Sequence, residues 1–510
     1  MDNQPSTVLQ NTTNVYGDGT TLHTFFQPHK RPSNDDATRP LNKKPRIGVT
    51  TENREAESQS PVEGVVEEVR VPRTNVFNML RNMYRVRNAL VQPSIPTNRI
   101  LESFVSSEKA DTFHCHSVRD GVSVSPPYTC AFSNGSKRGK SALLAVAAED
   151  GAVHILNTTR REDWDYEPQR TVFAAHCNAV FDLKWHPDDE YIATASGDQT
   201  IVISSVRHES RLATLAGHTQ SVKCVAWEPE NVNVLCSGGR DGTILLWDLR
   251  AGENWKTSTD HGELGPCLII PHAHKDFGTR FTPNGRKVAR SITSLVYAIG
   301  KPYSVISSGA FDGVLREWDI RLPGQKSKLP KRQTRPIQMS PLDPTIEFDS
   351  SSSRRARGVT SLSVGTGPTE GLLFALANDS SIHTFSTDTL TPLSSTFSHE
   401  TMRTNSFYVK SAISPCGKWI VTGSSDRKAF LYDVSNASRN FEISSWEGKC
   451  SVVELGGNRS EVGAVDWGHD IFATCCDRAV KVWRPDIEIR RSCERDPQEQ
   501  KWNWSWATSL

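Results

Sequence analysis

The chain has 510 residues, with 59 Lys and Arg against 58 Asp and Glu, for a formal net charge of +1. Such length calls for several domains or a repeat array, and the balanced charge excludes wholesale electrostatic capture of nucleic acid or a membrane surface. No apolar run is long enough to cross a bilayer and no secretory leader is expected at the start. The 11 scattered Cys lack Cys-x-x-Cys zinc spacing, so reduced thiols and no metal site are expected.

Residues 1–73 are polar and rich in Asn, Thr, Pro, Asp and Glu. They bury too little apolar area to offset ordering entropy, so a disordered arm is expected. Within it, Leu22, Phe25 and Phe26 have the spacing i, i+3, i+4, with Lys30 behind them. One helical turn would gather all three on one side as an apolar plug. Lys43, Lys44 and Arg46, with Lys30-Arg31 upstream, form a basic run that is either a solvated tail or a bipartite nuclear import signal. The segment 74–92 reads as a short amphipathic helix before the main body. Thr74 or Asn75 can cap it, Phe77, Leu80 and Tyr84 recur at helical spacing with Arg81 among them, and Pro93 and Pro96 end it. Such a helix either packs on the body or docks in a partner's groove.

From about 98 to 487 the chain reads as short strands. Tight-turn Asp residues recur at 150, 198, 241, 312, 379, 426 and 477. The interval from Asp198 to Asp241 is about one four-stranded propeller blade long. Seven turns predict an all-β, seven-bladed WD-repeat β-propeller. Longer intervals place insertions at 251–290 and 322–358, both expected as loops. A closed ring needs its last edge covered, so 98–125 is expected to give blade seven an outer strand. In the tail 488–510, Trp502, Trp504 and Trp506 alternate, which predicts an extra strand on the outside.

Each blade should pin its turn with a buried His–Ser/Thr–Asp–Trp hydrogen-bond network. Blade three carries the full set: His218, Ser237, Asp241 and Trp247. Partial sets are His176, Thr194 and Asp198 in blade two, Ser308, Asp312 and Trp318 in blade four, and Asp477 and Trp483 in blade seven. Blade six offers His399, Thr422 and Asp426, with Tyr432 at the Trp position; blades one and five have Leu156 and Phe385 there. Two Trp positions continue in register as Trp247-Asp248-Leu249-Arg250 and Trp318-Asp319-Ile320-Arg321. The fold does not require those Arg residues. A planar fork of donors repeated on adjacent blades points to an interface.

The stretches AHCNAVFDLKW (175–185), CSGGRDGTILLWDLR (236–250), SFYVKSAISP (406–415) and ATCCDRAVKVWR (473–484), with VFNMLRN (76–82), resemble the denticleless family, a group of substrate receptors of the cullin-4 ubiquitin ligase. The resemblance implies a noncatalytic nuclear subunit that brings replication-licensing and cell-cycle proteins, held on the chromatin-bound sliding clamp, to ubiquitination. It implies that Trp247, Asp248, Arg250, Trp318, Asp319 and Arg321, with helix residues Phe77, Leu80, Arg81 and Tyr84, meet the large propeller adaptor that carries cullin-4. Leu22, Phe25, Phe26 and Lys30 resemble a clamp-binding box, although Gly19 stands where the usual Gln would be. Animal members carry a long region after the ring, and whatever it does there is expected either to be missing here or to have moved to the N-terminal arm. Degron-bearing substrates are expected at the face where inner strands begin, with Phe181, Asp182, Lys223, Arg240 and Lys410 as candidates. Nucleic acid would be met only indirectly, with no membrane contact. No nucleophile elbow, phosphate loop or paired catalytic carboxylates are visible, and no cofactor is expected. The alternative is a WD-repeat scaffold in a nuclear chromatin complex without ligase function.

Overall fold

The computed structural model describes residues 97–162, 164–251, 263–274, 290–301, 303–321, 331–332, 335–341, 358–437 and 451–509. The arm (Leu22, Phe25, Phe26, Lys30, Lys43, Lys44, Arg46), the 74–92 helix (Phe77, Leu80, Arg81, Tyr84) and most of both insertions lie outside these residues.

Seven innermost strands build the ring: 127–132, 180–185, 222–227, 292–297, 359–364, 411–413 and 462–467. Each lies beside the next, and the seventh lies beside the first, so the ring is closed. From each, the chain meanders outward through antiparallel hairpins. The seven-bladed propeller expected from the Asp turns is the fold.

The hydrophobic core is divided among the seven interfaces between blades. One cluster joins Ile201, Ile203 and Leu215 of blade two to Val225, Leu235, Leu245 and Trp247 of blade three. The next joins Cys236 and Leu246 of blade three to Leu295, Val305 and Trp318 of blade four. Strands buried on both faces therefore read as continuous apolar runs such as Ile244–Trp247, without polar alternation. Aromatic residues ending the inner strands also tie blade to blade. Trp185, Trp227 and Trp467 donate their indole N–H to Ala131, Lys184 and Ala412 of the preceding blade.

The turns follow from local chemistry. Asp241 accepts from the backbone N–H of Thr243 at 3.0 Å. Gly242 takes φ +73°, and a Cβ there would lie 2.7 Å from the carbonyl oxygen of Arg290. Only glycine fits both the left-handed turn and the close approach.

In blade three, His218 Nδ1 meets Asp241 Oδ2 at 3.0 Å, its Nε2 meets Ser237 Oγ at 2.8 Å, and Trp247 donates to the same Oγ at 2.8 Å. In blade two, His176 joins Asp198 (2.9 Å) and Thr194 (2.8 Å). In blade seven, Trp483 donates to Thr474 at 3.0 Å.

Blade four corrects the sequence reading. Its network runs through Ser307, which receives Trp318 Nε1 and meets His274 Nε2, both at 2.9 Å. Ser308 instead faces Thr293. The hairpin holds one residue more than in blade three (Val305 pairs with Trp318, Leu235 with Trp247), so counting back from Asp312 lands on the wrong side of the strand. In blade six the expected set does not assemble. His399 bonds Thr401 and stacks on Phe430, Thr422 bonds the Gly423 carbonyl, and Tyr432 reaches Met402. A long connection, from Ser398 to the inner strand at Ser411, carries His399 away from the turn.

Both expected insertions contribute structure. Leu268–Ile270 is the outer strand of blade three and Gln338–Met339 that of blade four. Phe104–Ser107 and Thr112–Phe113 pair with Ala479–Pro485, which covers blade seven from the N-terminal side. The tail strand Trp504–Ser509 is inserted between Val452–Leu455 of blade six and Phe104–Ser107, rather than lying outside one blade. It knits the two blades into one sheet and leaves neither outer strand unpaired. Ser505 and Ala507 face inward, with Trp504 and Trp506 half-buried on the other side.

Candidate functional site

Two surfaces carry the side chains singled out by the sequence. They lie at opposite ends of the blades. In blade three, Val222, which opens the inner strand, pairs with Gly239 just before the turn, so the inner strand starts on the turn face. The third strand, Ile244–Asp248, then runs to the far face. Blade four repeats this arrangement.

On the far face, Trp247 and Trp318 are each 1% exposed, whereas the Arg250 and Arg321 side chains are 48% and 69% exposed. After the strand, Leu249 returns to the core and the 3-10 turn Leu249–Ala251 sends Arg250 outward. Asp248 accepts from the Arg250 backbone N–H (3.0 Å), Nε (2.9 Å) and Nη2 (2.8 Å). Asp319 holds Arg321 the same way, with its backbone N–H and Nε at 2.9 Å and Nη2 at 2.5 Å. Exposed pairs of this kind add little to stability. What they do is fix the direction of each fork. The two guanidiniums thus stand on one face of adjacent blades, oriented and open to solvent.

On the turn face, the start of the inner strands is roofed by aromatic rings. Tyr128 of blade one lies 6.1 Å from Phe181 of blade two and 4.8 Å from Tyr408 of blade six, with Phe407 6.0 Å from Phe181. Lys223 of blade three places its ammonium 3.2 Å from the Phe181 ring centroid and 4.2 Å from that of Phe407. Its pKa is pulled down to about 8, first by burial and then by the charges of Arg240 and Lys410. Arg240 is exposed in the adjoining turn. Beneath the rings, Lys410 of blade six reaches across the ring to blade two, with Nζ 2.9 Å from the Phe181 carbonyl oxygen and 3.0 Å from Asp182 Oδ1. Asp182 is 5% exposed, and its second oxygen accepts from Val225 N–H at 3.0 Å. Burial would raise its pKa, but Lys184 and Lys410 outweigh that and lower it. The pair lines one end of a central cavity of about 380 Å³.

Four of the five turn-face candidates, Phe181, Asp182, Lys223 and Lys410, thus meet in one cluster, with Arg240 beside it. The sequence reading missed Tyr128, Phe407 and Tyr408. The last two lie within SFYVKS, where their position just ahead of an inner strand is the signal that marks them. Among the described residues, no cluster of three His, Cys, Asp or Glu could hold a metal ion, and no helix is long and apolar enough to cross a membrane.

Segments 167–203, 209–248 and 393–433 match the WD domain, G-beta repeat model. The chain is also 32% identical over 397 residues to denticleless protein homolog B of Xenopus laevis, covering 75% of this chain and 51% of that protein. It is 32% identical over 390 residues to protein lethal(2)denticleless of Drosophila melanogaster (72% and 46%). To the denticleless protein homolog of Homo sapiens it is 32% identical over 406 residues (75% and 49%). The chain belongs to the denticleless family of WD-repeat proteins. It spans about half the length of these denticleless relatives. Repetition of the His, Ser/Thr and Asp sets from blade to blade marks them as braces of the denticleless ring.

Those braces make the ring acid-sensitive. Burial would raise the Asp198 pKa, but hydrogen bonding and charge from His176, with the Thr200 donors, bring it to about 2 from the ordinary 3.8. A depressed carboxylate stabilises the folded state fully above the ordinary value, and that stability is lost as pH falls through the folded value. The thermal midpoint should therefore drop between pH 4 and 2 more steeply in the wild type than in Asp198→Asn. Parallel melting curves for the two across that window would exclude the effect.

Proposed function

We propose that this chain is the substrate-recognition subunit of a cullin-4 ubiquitin ligase. The observation that carries the reading is the pair of Asp-held, solvent-open guanidiniums at Arg250 and Arg321, in matching register on one face of adjacent blades. Folding has no use for them there, whereas a protein interface does. Trp247, Asp248, Trp318 and Asp319 set their position, and the far face meets the large propeller adaptor. The segment around Phe77, Leu80, Arg81 and Tyr84, which lies outside the described residues, adds a second contact in a groove of the adaptor.

The opposite face then remains for clients. Degron-bearing proteins meet the aromatic roof of Tyr128, Phe181, Phe407 and Tyr408, with Lys223, Arg240 and Lys410 setting its charge. Lys223 has the mark of a functional group, an ammonium drawn into an aromatic cluster with its pKa shifted. The arm supports the same reading: Leu22, Phe25, Phe26 and Lys30 engage the sliding clamp, and Lys43, Lys44 and Arg46 direct the chain to the nucleus. The ring contributes proximity; ubiquitin transfer belongs to its partners.

Affinity capture of the full chain from nuclear extract followed by mass spectrometry tests this. Recovery of the adaptor and cullin-4, with client lifetimes in S phase lengthened on depletion, is expected. Recovery of chromatin proteins without adaptor or cullin would favour the scaffold.

A further inference from the structure

Six of the seven blades repeat one backbone bond on the far face. The residue just after the third strand donates its N–H to the residue just before the second strand. The pairs are Thr158 to Ala142, Val206 to Glu190, Leu249 to Asn233, Ile320 to Tyr303, Thr387 to Gly371 and Val434 to Lys418. This bond gives a common register for the far face without reference to the Trp-Asp motif. The next residue in each blade occupies the position of Arg250 and Arg321. Blade two has Arg207 there; blades one, five and six have Thr159, Asp388 and Ser435. In blade seven, counting from Trp483, the position falls on Asp486, whose carboxylate accepts from Glu488 and Ile489 at the start of the next helix.

Positive charge at this position is therefore confined to blades two, three and four, which are consecutive. Arg207 escaped the motif because Ser204 and Ser205 replace Trp and Asp. Ser205 accepts from His208 N–H at 3.2 Å and offers no carboxylate to Arg207, whose side chain is exposed. Arg250 and Arg321 are held forks; Arg207 is an equivalent cation that no carboxylate among the described residues restrains.

Resting on the adaptor reading above, we infer that Arg207 is a third contact, that the docking surface is an arc spanning blades two to four, and that the partner offers an acidic strip along it. The adaptor then sits off the ring axis, away from the exposed Asp388, whose charge would oppose such a strip; Asp486 is already paired with Arg160 at 2.9 Å. Because no carboxylate among the described residues holds Arg207, its charge matters more than its fork geometry.

Binding of the purified full chain to purified adaptor tests this. Arg207→Ala should weaken binding about tenfold at low salt and reduce its salt sensitivity, within the range for one charged interface residue. Arg207→Lys should keep most of the affinity, and Asp388→Ala should not lower it. If Arg207→Ala binds like wild type while Arg250→Ala with Arg321→Ala loses binding, the arc is wrong and the adaptor reading stands. If the Arg pair also proves silent, both fail. Loss of binding in Arg207→Lys equal to that in Arg207→Ala would overturn the assignment of a contact made mainly through charge.

Discussion

Asp182→Ala is expected to destabilise the ring by about 3–5 kcal/mol, the usual cost of breaking a buried ion pair from one side. The carboxylate is almost fully enclosed and serves Lys410, Lys184 and the Val225 N–H together. Its removal leaves the Lys410 ammonium under the aromatic roof without a counter-charge and orphans a backbone donor. Because the bond spans blades six and two, which are not neighbours, the loss also slackens the turn face. Replacing both partners, Asp182→Leu with Lys410→Met, should recover most of the stability, since a buried pair exchanged for apolar groups of similar size is often neutral. Urea unfolding of the three proteins checks it. A single variant within about 0.5 kcal/mol of wild type, the range of ordinary surface changes, would show that the pair is not enclosed.

Where the chain must make a tight turn beside packed strands, few residues fit, and that is why the seven Asp turns and the ring could be read from spacing. The rim was legible for a similar reason: Trp247 and Trp318 must be buried at a fixed step from the turn, so the Arg three places on has a fixed face. Counting failed wherever the chain changed length between fixed points. One extra residue in the blade-four hairpin exchanged Ser308 for Ser307, and a long connection removed His399 from the turn of blade six. His274 lay inside a segment read as a loop, so nothing announced it as a member of the blade-four network. Of the aromatic roof only Phe181 was legible, because Tyr128, Phe181, Phe407 and Tyr408 come from blades one, two and six and meet through ring closure. Periodicity along the chain carries no record of that closure. Arg207 was hidden by the loss of its Trp-Asp partners, although its backbone register is intact.

The Arg pair should show the opposite pattern to Asp182: a large effect on binding and almost none on folding. Each guanidinium is exposed and, among the described residues, pairs with the carboxylate two residues earlier, so its removal takes nothing from the core. At an interface the same groups are oriented forks, and truncating two such anchors costs about 2 kcal/mol or more apiece, so that together they exceed a hundredfold in affinity. Arg250→Lys with Arg321→Lys should recover only part of this, since an ammonium keeps the charge and lacks the planar fork. The decisive measurement is calorimetric titration of the purified full chain with the purified adaptor, wild type beside Arg250→Ala with Arg321→Ala, each with its thermal midpoint. The expected result is loss of affinity by more than about a hundredfold with an unchanged midpoint. Equal affinities for two equally stable rings would contradict the account.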